Sequence, residues 1–189
     1  VTTVSKINTI ADGTAVQTPG DKLFPYLQAN VDHVITVDDS ELTLSFLDMA
    51  ENHKMIVENS GLLTVAALKH LDFKGKKVVS VLSGGNMDVL TMATVVQNGL
   101  MQRDRIFTVS VMLPDKPCQL AAVSSLIAKE QGNVIKLEHN VFANVNRTAG
   151  VELTITLESF GTEHKDQIIK ALEAAGYCPV ITKTNGIYM

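Results

Sequence analysis

An α/β layer followed by an α+β domain is the fold class this sequence predicts, and three observations carry the prediction. At 189 residues the chain exceeds the single-domain size of about 100 to 150, which suits two modest domains. Residues 21–101 alternate helix-spaced apolar stretches with short β-branched runs, the rhythm of an α/β layer. After Arg103-Asp104-Arg105 that rhythm gives way to strict two-residue alternation, the signature of strands with one buried face. The boundary is therefore expected between residues 102 and 103, giving domains 1–102 and 103–189.

In the first half, residues 33–37 form a brief β-branched run. Asp38-Asp39-Ser40-Glu41 comes next, with Asp38 placed to cap a helix and Glu41, three residues on, to close the capping box. That helix should run to about His53, and a second should cover residues 60–71 before a turn at Gly75. Lys77-Val78-Val79-Ser80-Val81-Leu82 reads as a strand buried on both faces. Ser83-Gly84-Gly85-Asn86 comes directly after it, and residues 87–101 carry Val89, Met92, Val96 and Leu100 at helical spacing. The two glycines thus sit where a strand turns into a helix.

In the second half, Phe107, Val109, Val111 and Leu113 alternate with polar or smaller neighbours, as do Ile135, Leu137, His139 and Val141, and then Val151, Leu153, Ile155 and Leu157. Between the first two strands, Pro117 starts a helix that presents Leu120, Val123 and Ile127 on one side and ends at Gly132. A second helix over residues 162–175 should bury Ile168, Leu172 and Ala175, stop at Gly176 and lead into a last strand over residues 178–182. The order βαββαβ closes as a four-stranded antiparallel sheet with both helices on one face.

Composition narrows the function. With 46% hydrophobic and 19% charged residues the chain can pack a core and is too weakly charged to stay disordered. A net charge of -4 supplies no attraction to nucleic acid or an anionic membrane. The first ten residues lack a basic, then apolar leader, and no apolar run approaches the ~20 residues needed to span a bilayer, so a cytoplasmic protein is expected. Cys118 and Cys178 form no close metal-binding pair, and no metal site is assigned. The sheet order brings the end of its first strand beside the start of its last, so the two thiols could approach; a cytoplasmic setting keeps them reduced. The five histidines, His33, His53, His70, His139 and His164, are scattered and none is read as a catalytic base; His139 is read as a core or interface residue.

A βαββαβ sheet serves RNA binding, metal transfer and amino-acid sensing alike. The RNA-binding version stacks bases on aromatics of its central strands, and Val151–Glu158 has none. The metal-transfer version needs paired cysteines in the first loop, which here reads Asp115-Lys116-Pro117-Cys118. Sensing remains.

Four segments in order, Thr9-Ile10-Ala11-Asp12-Gly13, Val37-Asp38-Asp39, Val57-Glu58-Asn59-Ser60-Gly61 and Val79-Ser80-Val81-Leu82-Ser83-Gly84-Gly85-Asn86, carry a resemblance over nearly the whole chain. With them the chain resembles the ACT-domain-containing threonine ammonia-lyases (threonine dehydratases), relatives of the serine dehydratases and serine racemases. The resemblance implies the C-terminal part of a fold-type-II catalytic domain over residues 1–102 and a ferredoxin-like ACT regulatory domain over 103–189. It implies pyridoxal phosphate as cofactor, and conversion of threonine to 2-oxobutanoate and ammonia. It also implies a cofactor face made by Ser83, with its hydroxyl against the pyridine nitrogen, and by Gly84, Gly85, Asn86, Glu58 and Gly13. The family's Ser-Phe-Lys segment and glycine-rich phosphate loop do not occur in this sequence. No catalytic residue is therefore assigned, and the chain is expected to be a fragment, inactive alone. A serine ammonia-lyase or racemase of the same fold is the enzymatic alternative. A free-standing amino-acid-binding regulatory module is the other, and a pure sensor has no use for a Ser83–Asn86 cofactor turn.

The same residues have plainer readings. Ser83 reads equally as the N-cap of the next helix, Glu58 as a first-turn residue favoured by the helix dipole, and Gly13 and Gly85 as turn residues with positive φ. In the sensing half, the resemblance implies an amino-acid pocket between the first loop of one subunit, with Asp115, Lys116, Cys118, Gln119 and Leu120, and Asn133 and Val134 of a neighbouring one. The family pattern has glycine where Cys118 stands, so a domain that only dimerises is the competing reading. Apolar surface left open in the first half points to self-association, and the resemblance to a homo-oligomer joined through ACT domains.

Overall fold

The computed structural model describes residues 2–140 and 150–184. The chain divides into two compact units, Val1–Gly99 and Leu100–Met189.

In the first unit the apolar residues gather around one helix. Helix α1 (Phe24–Asn30) is short and buries nothing, whereas α2 (Asp39–Asp48) buries Leu42, Phe46 and Leu47. The capping box expected at Asp38 is formed: the Asp38 N–H donates to Glu41 Oε2 at 2.9 Å, and Glu41 Oε1 lies 2.8 Å from His70 Nε2. Thr43 and Ser45 are buried on α2 because their hydroxyls donate back to the carbonyls of Asp39 and Glu41, at 3.0 and 2.8 Å. The helix then widens into a π-helical turn, Met49–His53, which ends near the residue expected.

The helix expected over residues 60–71 is instead three short pieces: a 3-10 turn Asn59–Leu62, α3 (Leu63–Ala66) and a 3-10 turn Ala67–His70. Gly61 accounts for the irregular start. A Cβ there would lie 3.0 Å from Val57 Cγ1 and 3.2 Å from the Gly84 carbonyl, so close packing demands the residue least committed to a helix. Helix α4 (Val89–Gln102) begins later than expected and turns a different face inward: Val95 and Gly99 are buried, Met92 and Val96 half-buried, and Val89 is 73% exposed. A Cβ on Gly99 would lie 2.6 Å from Leu47 Cδ1, so this glycine is what lets α4 approach α2.

The strands expected over residues 33–37 and 77–82 do not form. Val34 is 86% exposed, and Val79 is 88% exposed where residues 77–82 were expected to be buried on both faces. A strand of an α/β layer exists only through neighbours that take its backbone groups and cover its faces, and no partner strand for either segment is present among the described residues. The unit's core is Ala11, Leu42, Phe46, Met49, Val57, Leu62, Ala66 and Val95, drawn from helices and the segments between them.

The second unit is the βαββαβ arrangement read from the sequence: β1 (Ile106–Leu113), α5 (Gln119–Lys129), β2 (Asn133–Asn140), β3 (Val151–Glu158), α6 (Thr162–Ala174) and β4 (Val180–Thr182). The sheet order is β2-β3-β1-β4, with every neighbouring pair antiparallel. Val109 opposes Ile155 and Val111 opposes Leu153; with Val123 and Ile127 of α5 and Ile168 and Leu172 of α6 they form a core with essentially no solvent exposure. Helix α5 closes where expected, the Gly132 N–H donating to the Ile127 carbonyl at 3.0 Å, and Gly176 comes after α6 with φ +87°.

Four details depart from the sequence expectation. Ala175 is exposed, and β4 is only three residues long. The central strands are buried on their second face in the middle only: Thr108, Ser110 and Thr156 are under 10% exposed on the face away from the helices, Met112, Glu152 and Glu158 are exposed there, and the Thr108 and Thr156 hydroxyls are hydrogen-bonded at 3.0 Å. Strand β2, at the sheet edge, hides little: Ile135 is half-buried, while Leu137 and His139 are exposed. Val141, expected at the end of that strand, lies outside the described residues.

The turn into β1 is held by polar contacts. Asp104, with φ +54°, receives Lys165 Nζ at 2.9 Å and the Thr162 hydroxyl at 2.8 Å on its two carboxylate oxygens.

Candidate cofactor site

All four family-like segments meet in the first unit, the second of them joined to the first through Asp39 and Ile10. Residues 57–61 pass beside the glycine turn: the Glu58 N–H donates to the Gly84 carbonyl at 3.1 Å, and a Cβ on Gly84 would lie 2.3 Å from Glu58 Oε1. A Cβ on Gly13 would lie 2.9 Å from Ser60 Oγ. Gly13 and Gly84 therefore serve close approach, and neither has positive φ; Gly85 is also outside the positive-φ set and has open space apart from the Ile56 carbonyl at 3.3 Å. The turn reading of Gly13 and Gly85 by positive φ is thereby corrected.

Ser83 is exposed, and it is not the cap of α4. That position is Asp88, whose Oδ2 accepts the Thr91 N–H at 2.9 Å. The same bond holds the Asp88 carboxyl below its usual range. Glu58 precedes the 3-10 turn Asn59–Leu62 in extended conformation, so it flanks a turn and is not in the first turn of an α-helix.

A cavity of about 420 Å³ opens beside this junction, lined by Ile10, Asp12, Glu58, Asn59, Asn86 and Asp88 among others. Its lining carries three carboxylates and no cation, which repels a phosphate and favours amine or amide donors. Two buried oxygens here, Asn59 Oδ1 and Ser60 Oγ, have no hydrogen-bond partner. Gly13, Ser83, Gly84 and Gly85 do not line this cavity; Gly84 makes room for the Glu58 side chain that does, and carboxylates with polar atoms left without partners suit the ring and amine side of a cofactor. Asn59 and Ser60 are the residues sequence reasoning passed over; their signal was membership of the Val57-Glu58-Asn59-Ser60-Gly61 segment.

In the second unit, Asp115, Lys116 and Cys118 are exposed in the loop before α5, and Gln119 and Leu120 are half-buried on its first turn, with Leu120 packed on the sheet core. Cys118 sits at the N-cap with φ +68°, in the left-handed region that favours glycine. Asn133 donates to Glu158 Oε2 at 3.1 Å across the strand pair, and Val134 is 38% exposed on the edge strand. Both cysteines are exposed and free. Among the described residues no group of three or more His, Cys, Asp or Glu side chains is placed to hold a metal ion, and no helix is long and apolar enough to cross a membrane.

Comparison with known proteins gives this geometry its class. Residues 1–84 match the family model described as Pyridoxal-phosphate dependent enzyme. More particularly, the chain is a homologue of the L-threonine ammonia-lyases. It is 36% identical over 178 residues to that of Geobacter sulfurreducens, covering 93% of this chain and 44% of the relative. The Thermotoga maritima L-threonine ammonia-lyase is 34% identical over 170 residues, covering 89% and 42%. A biosynthetic L-threonine dehydratase of Staphylococcus aureus is 30% identical over 141 residues, covering 74% and 33%. The chain thus spans less than half the length of these relatives.

Proposed function

We propose that this chain contributes one wall of the cofactor site in a pyridoxal-phosphate-dependent threonine ammonia-lyase and carries an ACT regulatory domain, with residues 1–102 and 103–189 as the two parts. The observation that supports the first part best is the meeting of Gly13, Glu58 and Gly84, from three separate segments, beside one polar cavity.

When bound, pyridoxal phosphate supplies a conjugated ring that accepts charge from the substrate's α-carbon, so that the α-proton and then the β-hydroxyl can leave. For threonine the products are 2-oxobutanoate and ammonia. In this reading the Ser83 hydroxyl meets the ring nitrogen, where a neutral partner leaves the nitrogen less protonated than a carboxylate would. Gly84, Gly85 and Gly13 bring backbone close to the ring, and Glu58 and Asn86 offer polar groups from the same wall. The acidic lining assigns the phosphate to other residues, and no Ser-Phe-Lys segment occurs in these 189 residues, so no catalytic residue is assigned here. The relatives' names favour threonine over the serine ammonia-lyase or racemase alternative. Two free, exposed thiols agree with a cytoplasmic enzyme.

For the regulatory part, Asp115, Lys116, Cys118, Gln119 and Leu120 are proposed to contact an amino-acid effector together with Asn133 and Val134 of a second copy. The two groups flank opposite ends of α5, a helix about 16 Å long at ~1.5 Å per residue, which supports a pocket shared between two copies. The left-handed backbone at Cys118 agrees with a loop built for glycine. A free-standing sensor is disfavoured by the Glu58 and Gly84 contacts, which a sensor does not need.

Two titrations test the reading. Pyridoxal, the cofactor's ring without its phosphate, should bind the chain saturably and bind less well to Gly84→Ala, whose Cβ displaces the Glu58 carboxylate; equal binding sinks the cofactor wall. Calorimetry with isoleucine, valine, threonine and serine should give saturable heat with one of them. No heat with any leaves a domain that only dimerises.

A further inference from the structure

We infer that Asp39 and Asn59 are positioning residues that grip Ile10 from opposite sides and so set the loop carrying Asp12 and Gly13 against the cavity. Only the identity of the ligand rests on the proposed cofactor function; the grip rests on hydrogen bonds.

The Ile10 N–H donates to Asp39 Oδ2 at 3.1 Å, and the Ile10 carbonyl accepts from Asn59 Nδ2 at 3.0 Å. The Thr9 hydroxyl donates to the other Asp39 oxygen at 2.6 Å while accepting the Ala11 N–H at 3.2 Å. Three consecutive residues are thus held by side chains, although backbone groups more commonly pair with backbone. The two holders come from distant elements. Asp39 is the first residue of α2, where the helix dipole favours a carboxylate, and Asn59 opens the 3-10 turn and is 4% exposed.

Beyond Ile10 the chain becomes the wall of the cavity. Ala11 is buried, its carbonyl receives the Thr14 N–H and hydroxyl, and the turn so formed sets Gly13 against Ser60. Ile10 and Asp12 line the cavity beside Glu58 and Asn59. The grip also accounts for the unpartnered Asn59 Oδ1. Rotating the amide would set that oxygen against the Ile10 carbonyl, so the side chain gives its donor to Ile10 and leaves its acceptor over.

Donor and acceptor logic separates this role from simple packing. Asp39→Asn and Asn59→Asp are both nearly isosteric, yet only the second should be disruptive. An asparagine at 39 still accepts the Ile10 N–H and can donate to the Thr9 hydroxyl. An aspartate at 59 sets a carboxylate against a carbonyl.

The experiment measures amide hydrogen exchange over residues 10–14 and, in parallel, titration with pyridoxal, for the parent chain and for Asp39→Asn, Asp39→Ala, Asn59→Asp and Asn59→Ala, each checked by thermal melting. Asn59→Asp, Asn59→Ala and Asp39→Ala should speed exchange at residues 10–14 and weaken pyridoxal binding by about tenfold, the worth of one hydrogen bond, while Asp39→Asn stays within about threefold of the parent. The inference is overturned if Asn59→Asp exchanges like the parent, if the two isosteric variants behave alike, or if loosening spreads equally through α2 and α4. Binding that stays unchanged despite faster local exchange also overturns it. A parent chain that binds no pyridoxal refutes the cofactor reading instead, and exchange at residues 10–14 then decides the grip by the same criteria.

Discussion

The two units of this chain use similar amounts of apolar sequence to opposite effect. In the second, four antiparallel strands take one another's backbone groups, and two helices close the core, so Val109, Leu153 and Ile155 are fully buried. In the first, the runs at residues 33–37 and 77–82 are as β-branched as those of the sheet, yet Val34 and Val79 stand open to solvent. The difference teaches that β-propensity becomes a strand only where pairing partners and a covering face are supplied. Helix α2, which needs only its own backbone and one buried face, forms in the first unit with its cap intact.

The largest effects should come from the two cores and should stay separate. Phe46→Ala in α2 should cost about 3 to 5 kcal/mol, and Leu153→Ala in β3 about 2 to 5 kcal/mol, each by leaving a cavity. Hydrogen exchange resolved by segment should show each variant loosening its own unit; one variant loosening both alike would mean a single cooperative structure. Next in size is the covered polar face of the sheet. Thr108→Val alone should cost about 1 to 3 kcal/mol in denaturant melts by stranding the Thr156 hydroxyl, and adding Thr156→Val should recover most of it.

Cys118→Gly should be neutral or stabilising by up to about 1 kcal/mol, because relief of the left-handed strain exceeds glycine's extra chain entropy. A clear loss in thermal melting would show that the thiol packs usefully where it stands. The smallest effect is electrostatic. The Asp38 N–H, and after it His70, holds the Glu41 carboxyl below its ordinary value despite opposing desolvation. A carboxyl lowered in the folded state contributes stability above its unfolded value, and that contribution is lost as pH falls through the folded one. Glu41→Gln should therefore flatten the acid limb of α2 unfolding followed by circular dichroism and leave the sheet's response unchanged.

Residues of the candidate site were legible unevenly. Glu58, Gly84 and Gly13 stand out in their family-like segments, and the structure brings them together through contacts that no spacing rule gives, since Gly13 and Gly84 are far apart in sequence. Asn59 and Asp39 sit inside such segments without a visible role, because a side chain that holds another residue's backbone leaves no periodic trace. Ser83 reads as a helix cap because a serine after a strand-like run often is one; the helix waits until Asp88, whose carboxylate does the capping.

By itself the sequence determined what depends on neighbours along the chain. That covers the Asp38–Glu41 box, the α5 stop at Gly132, the α6 stop before Gly176 and the βαββαβ order, all local consequences of capping, glycine conformation and two- or 3.6-residue periodicity. Tertiary structure alone decided which apolar runs became strands, which face of α4 turned inward, that Thr108 and Ser110 of β1 are buried, and which side chains hold Ile10. Those outcomes depend on what lies across space from each residue, and burial and hydrogen bonding are set there.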